Sequence, residues 1–250
     1  MKKIFTLAFL AGGVMTASAQ LIATTPGTVL TYECTAKTDD GDKTFEEVST
    51  LKDAVKADDG VVTYTFEDVA PTPGSLVGKT TTYSYYTFNP ADNTTTVLLS
   101  GEEQTKAEFI EMVKQQAEAE GTILSDSQID EIEKSIKVKG ELKLSLNPAT
   151  PAGTKAKNQS VRLHLGPTVI TTNLWENVVV GQESVTVPAG TFDCMKVTFL
   201  QRQSAGGEVS KSYYTQWYAE GIGAVRTEIS EKKGGEPMIS IVLKSVEKPE

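Results

Sequence analysis

The stretch TVLTYECTA, residues 28–36, alternates apolar and polar side chains at every second position. It puts Leu30, Tyr32 and Cys34 on one side of the chain, and Thr31 and Glu33 on the other. The same alternation recurs in VVTYTFEDV at residues 61–69, LKLSL at 142–146 and VRLHL at 161–165. A period of two is typical of strands that bury one face and expose the other. The pattern predicts a mainly β chain built on an antiparallel sheet.

Two helices are predicted inside this β pattern, as an insertion at about residues 105–138. Thr105 and Glu108 form a capping-box pair, and Gly121 provides a C-terminal stop. A second pair, Ser125 and Gln128, precedes three isoleucines at helical spacing: Ile129, Ile132 and Ile136. Because amphipathic helices bury their apolar stripes, the sheet is the expected partner. The expected fold class is α+β: a curved antiparallel sheet or open barrel, covered by the two-helix insertion.

The first nineteen residues have the pattern of a secretory signal peptide. Lys2 and Lys3 precede an apolar run at residues 4–14, and Ala17 and Ala19 form a small-x-small cleavage site. The apolar run is too short to remain as a membrane-spanning helix. We therefore expect cleavage after Ala19 and a periplasmic or secreted protein without a transmembrane segment in its mature chain. Residues 20–250 are expected to form a single β-rich domain.

The composition argues against nucleic acid as a partner. The chain has 24 lysines and arginines against 33 acidic residues, a formal net charge of −9, and it has no basic cluster. An anionic protein repels the phosphate backbone instead of neutralising it.

Cys34 and Cys194 are the only cysteines. In an oxidising compartment they are candidates for a disulfide. The alternative is two unpaired thiols that pack as small apolar side chains. The sequence leaves both open.

The usual signatures of catalysis are missing. The sequence has no G-x-S-x-G, H-E-x-x-H or C-x-x-C motif. Its single histidine, His164, falls on the polar side of an alternating strand. The acidic turns at residues 39–42 and 58–60 do not follow the EF-hand order of ligands. We expect no enzymatic activity, no cofactor and no metal.

Two aromatic clusters are the candidate ligand-binding residues. One lies at residues 83–88 and the other at residues 213–218. The five candidates are Tyr83, Tyr85, Tyr213, Trp217 and Tyr218. An exposed ring on a sheet can stack on a sugar or line an apolar groove. Packing in the core is the commoner role for such residues.

Two motifs in the C-terminal third resemble a known family. V-P-A-G-T-F-x-C begins at Val187, and W-Y-A-E-G-I-G-x-V-R begins at Trp217. Together they resemble the TapB-like family of exported bacterial proteins of unknown function, some of them from Bacteroidota. The resemblance covers roughly residues 180–230. It implies an antiparallel β protein of the cell envelope with no established catalysis.

These observations predict an exported, non-enzymatic cell-envelope protein that binds a partner protein or an apolar ligand. A first alternative is a periplasmic carrier of lipids or lipoproteins, which needs an apolar pocket between helices and sheet. A second alternative is a carboxylate-dependent hydrolase acting on glycans or the cell wall, which needs two acids that converge in a cleft. Sequence leaves the oligomeric state and the identity of the ligand open.

Overall fold

The structure is a computed structural model of the 250-residue chain, and it describes residues 20–71, 79–166 and 168–249. The predicted signal peptide, residues 1–19, lies outside the described residues. The strands are β1 Val29–Thr38, β2 Gly41–Lys56, β3 Val62–Pro71, β4 Lys79–Asn89, β5 Thr94–Ser100, β6 Ile136–Lys139, β7 Leu142–Leu146, β8 Gln159–Leu165, β9 Thr168–Val187, β10 Gly190–Ala205, β11 Glu208–Ala219, β12 Gly223–Ser230 and β13 Ile239–Glu247. The helices are α1 Glu102–Ala119 and α2 Asp126–Ser135.

The strands form one antiparallel sheet with the order β6-β8-β9-β10-β11-β12-β13-β1-β2-β3-β4-β5-β7. The predicted fold class is confirmed: the protein is mostly β, and its sheet is open and not closed into a barrel. The V-P-A-G motif that begins at Val187 forms the turn of a β-hairpin, because Val187 of β9 pairs with Gly190 of β10.

The two edges of the sheet come from neighbouring parts of the chain. Among the described strands, β6 pairs only with β8 and β7 pairs only with β5, yet just Gly140 and Glu141 separate β6 from β7. Gly140 has a φ of +88°, and a Cβ at this position would meet the Ser160 carbonyl oxygen at 2.2 Å. Only glycine fits this crossing.

A side-chain amide bridges β7 to β8. Gln159 accepts the Lys143 backbone N–H through Oε1 at 2.7 Å, and its Nε2 donates to the Lys143 carbonyl at 2.8 Å. The amide therefore makes the two hydrogen bonds that a neighbouring strand would make at this position. We call the bridged gap between β7 and β8 the seam.

The helices differ from the prediction at their ends. α1 begins at Glu102 with Gly101 as its N-cap, so the N-cap predicted at Thr105 is wrong by four residues. The start of α2 is as predicted: the Ser125 N–H donates to Gln128 Oε1 at 2.9 Å. Residues 136–139 form a strand, because Ile136 and Val138 alternate with two lysines and enter the core. In the part of the chain that the structure describes, no helix is long and apolar enough to span a membrane.

Two clusters of buried side chains form the core. The first core contains Leu142, Leu144 and Leu146 of β7, with Leu174 and Phe199. Phe109 and Ile110 of α1 and Ile132 of α2 pack against it. The second core contains Leu30, Leu51, Phe66, Phe88 and Leu243. The helical insertion thus covers the first core.

Residues 20–23 form a buried strap that joins distant strands. Leu21 enters the first core, and Ile22 and Ala23 enter the second. The Gly221 N–H donates to the Gln20 carbonyl at 2.7 Å, and the Leu21 N–H donates to Thr95 Oγ1 at 3.2 Å. The strap therefore connects the β11–β12 turn to β5.

Candidate functional site

A groove lies between β4 and the helical pair. Its lining includes Tyr83 and Tyr85 of β4, Ala107 and Ile110 of α1, and Ile129 of α2. We call it the helix groove. Its volume is about 380 Å³. A second cavity of about 680 Å³ adjoins it, since Tyr85 and Gln104 line both.

The alternation of β4 explains why these two tyrosines line a surface groove. Tyr86 and Phe88, on the opposite face, pack into the core. Tyr83 is 45% exposed, and Tyr85 is half-buried. The helical pair supplies the second wall, so the predicted candidates Tyr83 and Tyr85 share one site with apolar side chains from both helices.

A second groove is formed by β10, β11 and β12 and by the loop at residues 231–238. Tyr213, Thr215 and Trp217 of β11 contribute to it, as do Ser230 and Lys233. We call it the loop groove. Its volume is about 420 Å³. Tyr83 and Tyr85 do not line it, so the five predicted residues do not form one site.

Trp217 is a buried member of the loop groove, 5% exposed. Its indole N–H donates to Glu183, and this hydrogen bond, together with Lys196, lowers the pKa of Glu183 below its usual value. Lys196 Nζ lies 4.9 Å from the indole centroid and Arg226 Cζ lies 5.2 Å from it. Cation–π contacts of this kind hold the ring in place.

Tyr218 is 1% exposed, and its ring lies in the first core. Its hydroxyl donates to Gln216 Oε1 at 2.7 Å. Tyr218 therefore packs in the core, which is the commoner role for such aromatic residues. Tyr213, five residues earlier on the same strand, is half-buried on the opposite face of β11.

Cys34 and Cys194 are free, buried thiols in this structure, so the disulfide alternative is absent from it. Cys34 lies on β1 and Cys194 on β10, with β11, β12 and β13 between them. Burial raises the pKa of Cys34 to about 12 and that of Cys194 to about 11. Neither thiol is therefore an activated nucleophile.

The carboxylates of Glu47 and Asp68 interact on the core-facing side of the sheet, and neither residue was predicted from the sequence. Ser49 and Asp68 are paired residues of β2 and β3, and Asp68 accepts hydrogen bonds from Ser49 and Ser84. Burial, and then the charge of Asp68, raise the pKa of Glu47 to about 6. Burial also raises the pKa of Asp68. The sequence does contain a signal for Asp68. It follows the core residues Tyr64 and Phe66 at two-residue spacing, so it is expected on the same, core-facing side of β3.

No metal site is evident in the described ranges 20–71, 79–166 and 168–249. No three histidine, cysteine, aspartate or glutamate side chains there are grouped to hold an ion.

Comparisons with known proteins show similarity to exported β proteins of unassigned role. A family model described as DUF3108-like matches residues 142–240, from β7 to the start of β13. No curated protein matches the sequence. None of the matches carries the TapB-like name, so that resemblance is supported only as far as an uncharacterised exported family.

Two solved structures share the fold. One is described as an exported protein with a YmcC-like fold from Bacteroides fragilis, and it is 17% identical with a TM-score of 0.59. That match covers 92% of this chain and 100% of the other. The second is a lipoprotein from Parabacteroides distasonis, also 17% identical, with a TM-score of 0.58 and coverage of 92% and 99%. At this identity the likeness shows the fold alone, which is the YmcC-like fold.

Proposed function

We propose that the protein is an exported, non-enzymatic binding protein of the cell envelope, and that it holds an apolar ligand in the helix groove. One observation carries the proposal: Tyr83 and Tyr85 face Ala107, Ile110 and Ile129 across a groove of about 380 Å³. Pockets for small molecules are typically apolar and aromatic, with volumes from about 300 Å³ upward. Residues 1–19, with their signal-peptide pattern, and the exported proteins that share the fold support the location.

The adjoining cavity is lined by charged residues that can contact a polar group at one end of the ligand. Glu102, Glu103, Glu141 and Lys143 line it, together with Thr87. An elongated molecule with an apolar body and a polar head fits this arrangement, since each part meets a matching lining. Carriage of a lipid, the first alternative named above, is a special case of this function.

Titration with the apolar dye N-phenyl-1-naphthylamine tests the proposal. We expect saturable binding, competition by the neutral lipid monopalmitoylglycerol, and loss of binding in Ala107→Trp. Ala107 is exposed on α1 and lines the groove, so a large ring there fills the space without disturbing the core.

Glu118→Trp is the matched control, because Glu118 is exposed on the same helix and does not line the groove. It should bind the dye like the unmodified protein. A dye that fails to saturate, or that binds Ala107→Trp and Glu118→Trp equally, contradicts the proposal.

A further inference from the structure

The loop groove differs in chemistry from the helix groove. Its floor is the face of β11 that carries Tyr213, Thr215 and Trp217. Thr215 is paired with Thr198 of β10, and Tyr213 is paired with Ser230 of β12. The floor therefore presents hydroxyl groups beside a half-exposed aromatic ring. A lipid tail would leave the hydroxyls of Thr198 and Thr215 without a polar partner, and burying an unpaired polar group costs free energy.

The walls of the loop groove are held by ion pairs. Lys233, in the loop after β12, reaches Glu176 of β9 with an Nζ–Oε2 distance of 2.6 Å. On the opposite side, Lys196 Nζ lies 3.1 Å from Glu183 Oε1, and Arg226 is paired with Glu228. The Trp217 ring is fixed between Lys196 and Arg226. The buried Trp217 ring is thus in place before any ligand enters.

Pairing of the charges limits the class of ligand. Each charged residue that lines the groove, Lys196, Lys233, Glu176 and Glu228, is already in an ion pair. An anionic or cationic ligand would have to compete with one member of a pair. A neutral ligand with hydroxyl groups can donate to the carboxylates and accept from the amines at once, because a hydroxyl does both.

We propose that the loop groove is a second binding site, and that its ligand is a neutral carbohydrate. The half-exposed Tyr213 ring stacks on one sugar face, and Thr198 and Thr215 contact ligand hydroxyls. The site is separate from the helix groove, so either site can fail its test without affecting the other.

The chain offers a direct optical test, because it has two tryptophans and one of them lies in the loop groove. Trp175→Phe leaves Trp217 as the only tryptophan. In that background we titrate cellotetraose, maltotetraose and N-acetylchitotetraose, and we expect a saturable change of Trp217 emission with at least one of them. Adding Tyr213→Ala should weaken binding by about tenfold, the equivalent of about 1.4 kcal/mol for a lost stacking contact.

Phe45→Ala is the control, because Phe45 is an exposed aromatic residue that lines neither groove; it should leave the affinity unchanged. If Tyr213→Ala does not fold by circular dichroism, Thr215→Val replaces it and should weaken binding several-fold. The proposal is overturned if no neutral tetrasaccharide binds by emission or by saturation-transfer NMR. It is equally overturned if tetragalacturonate binds instead, or if Tyr213→Ala binds like its parent.

Discussion

Glu47 is an acidic residue on the core-facing side of β2, and its protonation affects how stability depends on pH. Its pKa rises from 4.5 to about 6 on folding. Between these values the folded state binds more protons than the unfolded state, so stability falls as pH increases through this range. A difference of about 1.5 pKa units corresponds to about 2 kcal/mol.

Glu47→Gln should therefore raise the free energy of unfolding by about 1–2 kcal/mol at pH 7.5 and have little effect at pH 4. Urea unfolding at both pH values measures this. Glu46→Gln is the control: Glu46 is exposed and paired with Lys244, and its loss should cost no more than about 0.5 kcal/mol. Equal stability of Glu47→Gln and the parent at pH 7.5 would show that Glu47 is not a strained buried acid.

The two cysteines provide a second prediction at the level of single residues. Protein purified without reductant and unfolded in guanidinium chloride should show two thiols with Ellman's reagent. In the folded state both should react slowly, because burial raises their pKa values and shields them. Zero thiols after unfolding would establish the disulfide instead.

Among the elements, β7 is hydrogen-bonded across the seam by a single side chain, Gln159, and not by a neighbouring strand. Gln159→Ala removes both hydrogen bonds to Lys143 and leaves its backbone N–H and carbonyl without these partners. We expect a loss of about 1–3 kcal/mol in the free energy of unfolding. Gln182→Ala is the control, because Gln182 is an exposed residue of β9 whose side chain makes one long hydrogen bond, 3.4 Å to Pro148. Similar losses in the two variants would mean that the seam does not depend on Gln159.

The strap at residues 20–23 is the second element with a measurable role. Ile22 is 1% exposed in the second core, whereas Ile123, between α1 and α2, is 88% exposed. Ile22→Ala should cost about 2–5 kcal/mol through the cavity it leaves. Ile123→Ala should change stability by less than about 0.5 kcal/mol. Thermal melts of the two variants compare them, and matching melts would place the strap outside the folded core.

For the whole molecule, the fold class is predictable from the sequence because alternation and turns are local signals. Alternation in residues 28–36 and 61–69 correctly predicts β1 and β3. The strand order could not be predicted from the sequence, since β6 and β7 are neighbours along the chain but lie at opposite edges of the sheet. That arrangement depends on the close approach of Gly140 to Ser160, a long-range contact with no local signature.

The candidate site was predictable only in part. Alternation placed Tyr83 and Tyr85 together on one face of a strand, and the helical wall opposite them followed from the insertion. The burial of Trp217 and Tyr218 could not be predicted, because it depends on cross-strand neighbours such as Lys196 and on the first core. Aromatic composition alone does not tell a ligand platform from packing.

The central claim is that the helix groove holds an apolar ligand, and native mass spectrometry tests it most directly. The protein and its Ala107→Trp variant are purified from the native host under identical conditions. We predict one co-purifying apolar molecule of discrete mass on the unmodified protein and none on the variant. A bare unmodified protein, or the same adduct on both, would contradict the claim.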